Sequence, residues 1–264
     1  ALLAADVGVH TTTDLLAGLR ARVEAGDLEG PDEAVLGIRF WRLAFGEDPG
    51  VLGRTLELPG RTVTVVSFST EDQYREFYHH VGHTFDDPWL RLHFKAEGVM
   101  EYTGLLFVPS QKPFDLFHPD RKPGVRLYVK RVFITDDCAE LLPPYLRFLR
   151  GIVDTEDLPL NVSRELLQNN PRLAKIRTAI CKKVLGELKQ KAGQSPDEYA
   201  TFWENFGSVL KEGLYEDGQQ REALLELARF RSTKRDGWIS LADYVKDMRP
   251  GQDTIYTISG DDPK

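Results

Sequence analysis

The chain has 264 residues, 41% of them hydrophobic and 28% charged, and a formal net charge of −7. That length allows one large domain or two small ones. The balance excludes a mainly disordered chain, and the acidic charge argues against a general nucleic-acid binder. No apolar run approaches the roughly 18 residues of a membrane span. No charged start followed by an apolar stretch reads as a secretory signal, and the first residue is Ala1 rather than Met, which leaves room for a longer parent chain.

Residues 1–35 have helical spacing, with Leu15, Leu16, Leu19 and Val23 at the periods of one face and Thr13 as a candidate cap. Gly26, Gly30 and Pro31 turn 24–32 into a loop. The period changes over 38–66, where Gly46, Pro49, Gly50 and Gly53 punctuate the chain. Strands are expected at 55–58 and 62–66, around a Pro59-Gly60 hairpin turn.

From Ser69 the pattern is mixed α/β. Ser69 or Thr70 can cap a helix running to about Gly82, with Tyr74, Phe77 and Tyr78 on one side. Strands are expected at 101–109 and 125–135, the second with Val125, Leu127 and Val129 on one face. Helical stripes follow: Leu142, Tyr145, Leu146 and Leu149; then Leu173, Ile176, Ile180, Val184 and Leu188; then Tyr199, Phe202, Trp203, Phe206, Val209 and Leu210. Leu224, Leu227 and Ala228 suggest a further helix, and 254–259 reads as a single strand whose partners lie elsewhere. Cys138 and Cys181 lie far apart without a CxxC, which reads as two reduced, packed thiols.

The segment 154–168 breaks a local rule. Pro159 stops any helix through it, and Asn161 or Ser163 can cap a new one. Arg164 then falls in a first turn, where the helix dipole disfavours a cation by up to about 1 kcal/mol. A guanidinium beside helix N–H groups, with Asn161, Ser163 and Gln168 near, can hold a phosphate. Phosphoryl transfer gains much of its rate from an arginine placed in this way. The plainer alternative is that Arg164 pairs with Asp157 or Glu165 and only caps the structure.

A run of collinear motifs resembles one family. Phe77-Tyr78, Phe85-Asp86-Asp87-Pro88, Glu101-Tyr102-Thr103, Leu106-Phe107-Val108-Pro109-Ser110 and Pro113-Phe114-Asp115 are similar in order and spacing to heat-shock protein 90 chaperones. So are Leu127-Tyr128-Val129-Lys130-Arg131-Val132-Phe133-Ile134, Tyr145-Leu146-Arg147-Phe148, the segment 157–168, Phe202-Trp203, Phe206-Gly207, Leu210-Lys211-Glu212-Gly213, Leu241, Asp243-Tyr244-Val245, Ile255-Tyr256 and Ile258. The resemblance covers residues 69–264 and is to the middle domain.

The resemblance implies a chaperone segment for ATP-dependent folding. ATP and Mg2+ would be bound mainly by a separate N-terminal nucleotide-binding domain. Arg164 would be the arginine given to the γ-phosphate, with Asn161 and Gln168 supporting it. Phe133 would meet the nucleotide domain, and Phe85 and Trp89 would contact client protein, although large aromatics are as readily core. Co-chaperones are possible partners, members pair through a C-terminal dimerisation domain, and the location would be cytoplasmic. No activity is expected from this chain alone.

The first 68 residues do not share the resemblance. Leu2-Leu3-Ala4-Ala5-Asp6-Val7-Gly8-Val9 with Thr11-Thr12 resembles the helical N domain of signal-recognition-particle-type GTPases. Phe40-Trp41, Phe45-Gly46, Asp48-Pro49, Gly53-Arg54-Thr55-Leu56 and Val63-Thr64-Val65-Val66 resemble the core domain of ABC-transporter permeases. The chain thus reads as a mosaic.

Other constellations are weaker. His79 and His83, with His80 and His93 near, could ligate a metal, but no HExxH is present and a surface histidine cluster is the plainer reading, so no metal is expected. The basic run within 172–191 could meet RNA or acidic lipid, or be the solvated face of an amphipathic helix. No GxxxxGK[ST] phosphate loop occurs. The expected fold is α/β: a layered α/β core over 69–151, a catalytic loop over 152–168, a helical region over 164–232 and a truncated small α/β element over 233–264. Ahead of these stand a helical segment over 1–36 and a hairpin over 37–68.

Overall fold

The computed structural model describes strand backbone at 33–36, 55–58 and 61–65, and residues 70–258 except 83, 99, 119, 120, 122, 160–166 and 169. Strand β1 (Glu33–Leu36) pairs in parallel with β3 (Arg61–Val65), which pairs antiparallel with β2 (Thr55–Leu58). The β2–β3 pair is where a hairpin was expected. β1 is a strand at the end of a segment expected to be helical, while the stripe from Leu15 to Val23 lies outside the described residues.

Helix α1 (Glu71–Gly82) starts on a reciprocal cap: Gln73 N donates to Thr70 Oγ1 (3.4 Å) and Thr70 N donates to Gln73 Oε1 (3.2 Å). Glu71 and Asp72 suit its positive N-terminal end. Its apolar face, Phe77, Tyr78 and Val81, packs on Leu105 and Phe107 of the sheet.

That sheet has five strands: β4 (Pro88–Ala96), β5 (Tyr102–Pro109), β6 (Val125–Val129), β7 (Val132–Thr135) and β8 (Arg150–Thr155). Their order is β4-β5-β8-β6-β7; only β6 and β8 run parallel. Alternation along β5 sends Leu105 and Phe107 to α1, and Tyr102, Leu106 and Val108 to the opposite face. On that face lie the helices α2 (Pro171–Gln194), α3 (Pro196–Glu216) and α4 (Arg221–Leu227). Helix, sheet and helical layer make the α/β architecture expected from the sequence.

The helical layer is fixed by its stripes. Leu173, Ile176, Ile180, Val184 and Leu188 are all buried on α2, as are Tyr199, Phe202, Trp203, Phe206, Val209 and Leu210 on α3. The Phe206 ring lies tilted, 4.9 Å from Phe148 and 5.4 Å from Phe202. Burying one such ring contributes about 1.5–3 kcal/mol. Helix α5 (Leu241–Lys246) follows, opened by a capping box between Ser240 and Asp243.

Two expectations need correcting, and two strands were not expected. The strand expected over 125–135 is two strands, β6 and β7, joined by Lys130 and Arg131 at φ 51° and 69°. Such left-handed residues cost roughly 1–2 kcal/mol each, and this hairpin turn normally calls for Asn-Gly. Buried Asp154 offsets the cost: Arg131 N donates to its Oδ1 (3.1 Å), and Arg131 Nε lies 2.6 Å from its Oδ2. The stripe Leu142, Tyr145, Leu146 and Leu149 is buried but makes only a 3-10 turn at Pro144–Leu146, because Pro143 and Pro144 remove donors. Among the described residues, 254–258 pair with no strand, and Tyr256 N donates to Tyr244 Oη (3.2 Å). β4 was not anticipated. Nor was β8, whose Ile152–Thr155 portion occupies the start of the expected catalytic loop.

Candidate functional site

The loop singled out by Pro159 and Arg164 leaves the sheet from the end of β8. That end is stitched to its neighbours: Glu156 N donates to Glu101 O (3.0 Å), Glu101 N to Asp157 Oδ2 (2.7 Å), and Lys130 N to Thr155 O (3.0 Å). The chain then drops Leu158 into the core, and on the far side of the loop it returns Leu167 to the same core; each is 2% exposed. Immediately after, Asn170 Oδ1 caps α2 by accepting from Arg172 N (2.9 Å), and Arg172 Nη1 donates back to Asp157 O. The loop is therefore a short span pinned at both feet, between a strand end and the N-terminus of a 24-residue helix.

Of the residues expected to act there, Gln168 is exposed, while Asn161 and Arg164 lie outside the described residues. Phe133 sits on the edge strand β7, half-buried, its ring meeting Tyr128 edge-on at 5.5 Å. The β6–β7 turn beside it touches the same β8 end that feeds the loop.

Phe85 and Trp89 separate. Phe85 is 100% exposed. Trp89 packs against the core, stacked on Phe202 at 4.7 Å and 15°, with its Nε1 buried and without a hydrogen-bond partner. Beside Phe85, the Asp86 carboxylate accepts from Tyr78 Oη (2.9 Å), Thr84 Oγ1, Ser110 N (3.0 Å), Ser110 Oγ (2.9 Å) and Gln111 N (3.3 Å). His79, expected in a surface cluster, lies against the Asp86 carbonyl (Nε2 at 3.0 Å); His83 is outside the described residues. Among the described residues no group of three or more His, Cys, Asp or Glu is placed to hold a metal. No helix among them is long and apolar enough to cross a membrane.

A family model described as Hsp90 protein matches residues 66–264. This chain belongs to the Hsp90 family. Chaperone protein HtpG of Paramagnetospirillum magneticum is 66% identical over 193 residues, which are 73% of this chain and 31% of that protein. HtpG of Rhodospirillum rubrum is 59% identical over the same length and the same shares. The middle domain of a putative heat shock protein of Plasmodium falciparum superposes with a TM-score of 0.64 at 34% identity, covering 74% of this chain and 75% of that one. The chain thus spans about a third of the length of the curated relatives it matches, and the match leaves 1–65 outside it.

Within this Hsp90 segment, sequence reasoning named the loop's polar residues but missed what holds them. Leu158, Leu167 and Arg172 are visible only as ordinary core and surface residues in a string; a leucine on each side of a proline-broken stretch was the available signal. In the sequence Asp86 stands out only as part of the Phe85-Asp86-Asp87-Pro88 motif. Burial pushes its carboxyl up, but the hydrogen bonds from Thr84, Tyr78, Ser110 and Gln111 outweigh this and leave its pKa lowered. A lowered carboxyl contributes stability that is present above its unfolded pKa, near 4, and lost as pH falls through the folded value. Asp86→Ala is expected to cost about 2–3 kcal/mol at pH 7, measured by urea unfolding. The gap from the native sequence should narrow as pH falls below about 4; a gap unchanged in acid would mean the carboxylate charge is irrelevant. Both thiols are free and buried, and burial pushes each up to about 11, so neither is poised as a nucleophile.

Proposed function

We propose that this segment works within a cytoplasmic, ATP-dependent chaperone: it holds client protein and supplies Arg164 to the γ-phosphate of ATP bound by an N-terminal nucleotide-binding domain. The observation that carries this reading is the loop pinned by Leu158 and Leu167 beside the α2 N-terminus. A guanidinium stabilises charge that develops on a transferring phosphoryl group, and anchoring the loop's two ends lowers the cost of placing it. Asn161 and Gln168 hold the loop and its ligand by neutral hydrogen bonds, and Phe133 docks against the nucleotide domain. The donors around the loop, Arg164, Arg172, Asn161 and Gln168, suit phosphate oxygens; Mg2+ would be held by the nucleotide domain. Homodimerisation through a C-terminal domain and service by co-chaperones complete the reading.

A second reading is favoured by one observation. Phe85 and Phe114 are fully exposed rings, and such a surface can hold apolar segments without any nucleotide. Mixing the chain with the purified N-terminal domain and ATP separates the two. Stimulated turnover supports the coupled chaperone; client retention with unchanged turnover supports the passive binder.

A further inference from the structure

At the sheet end opposite the Arg164 loop, where β6 and β8 begin, three arginines converge: Arg121, Arg147 and Arg150. Arg147 is saturated, its Nε donating to Leu116 O (2.9 Å) and its two terminal nitrogens to Glu212 at 2.5 and 2.8 Å. Arg121 is not. Its side chain is 4% exposed, its Nη1 meets Asp115, and its Nε and Nη2 are closed to solvent without a partner. Arg150 makes one long hydrogen bond, 3.4 Å to Leu149 O. Gly124 admits it, since a Cβ there would overlap Arg150 Nη1.

Among the described residues, the carboxylates near these donors are already engaged. Asp115 is engaged by Arg121, Glu212 by Arg147, and Asp86 by Tyr78, Thr84, Ser110 and Gln111. Burial and the neighbouring Arg121 charge push Arg150 down to about 10, as expected where a guanidinium lacks sufficient counter-charge. A buried charged donor left unmade is costly, and the Nε–Nη2 edge of a guanidinium offers two parallel N–H groups that match an oxyanion.

We propose that Arg121 and Arg150 form a binding site for a small phosphate-type oxyanion. Two guanidinium edges, with their parallel N–H groups, suit a small tetrahedral anion. The site stands roughly 17 Å along β8 from the loop that carries Arg164.

The test follows thermal unfolding of the chain in inorganic phosphate against chloride at matched ionic strength, with acetate as a third arm. The expected result is a saturable phosphate-dependent rise in Tm, its apparent affinity weakened by about tenfold or more in R121M and in R150Q. Should R121M fail to fold, R150Q carries the comparison through phosphorus-31 line broadening of free phosphate. A native chain indifferent to phosphate, or variants that respond as it does, overturns the site. Equal stabilisation by acetate with the same arginine dependence overturns the phosphate assignment.

Discussion

Arg164→Ala, placed in a full-length chaperone that carries this segment, is expected to lower ATP turnover by about 10³-fold or more while nucleotide still binds. The size follows from where the side chain acts. A guanidinium that meets charge developing on the γ-phosphate contributes in the transition state and little in the ground state, so the rate falls and the affinity does not. Arg164→Lys should recover little, because an ammonium lacks the planar fork. The reading depends on the loop being held, so Leu158→Ala should also slow turnover by letting one foot of the loop loose from the core. The decisive measurement pairs steady-state hydrolysis with nucleotide binding. Turnover unchanged in R164A would reject the role given to this arginine, and lost binding would mean it serves the ground state.

Gly151→Ala should be the most destabilising single-methyl change in the sheet. Gly151 stands on β8 at φ 135°, opposite Leu106 on one side and Val125 on the other. An added Cβ would fall on the Leu105 carbonyl oxygen and 3.0 Å from Leu105 C and Leu106 Cα. These are backbone atoms of β5, held by β4 on its other edge, so nothing flexible can give way. Backbone strain and overpacking each cost about 1–3 kcal/mol, giving an expected loss of about 2–6 kcal/mol. That is a large part of the stability of a domain this size. Urea unfolding of G151A measures it, and a loss below about 1 kcal/mol would show that β5 and β8 can part there at little cost.

The parts of the fold legible in the sequence are those where local signals agree with tertiary packing. α1 announces itself by a Ser69 or Thr70 cap and the spacing of Tyr74, Phe77 and Tyr78, and α3 by an aromatic stripe that no strand could present on one face. β8 is hidden because Gly151 and Asp154 weaken its pattern, and because its burial comes from strands far away in the chain. β4 does alternate, with Leu90, Leu92 and Phe94 against Arg91, His93 and Lys95, but only its pairing with β5 makes that alternation decisive. The β6–β7 turn carries no glycine, since Asp154 does from a distance what Asn-Gly does locally. For the candidate site, residue types near Pro159 pointed to Arg164, whereas the Leu158 and Leu167 anchors required the core to be seen.

The five hydrogen bonds converging on Asp86 have a bearing on its neighbour. Phe85 projects its whole ring into water beside a residue tied at once to α1 and to the end of β5. A protein that seats itself on this ring need not spend conformational entropy freezing the segment beneath it, so even a brief, weak encounter can use most of the ring's apolar area.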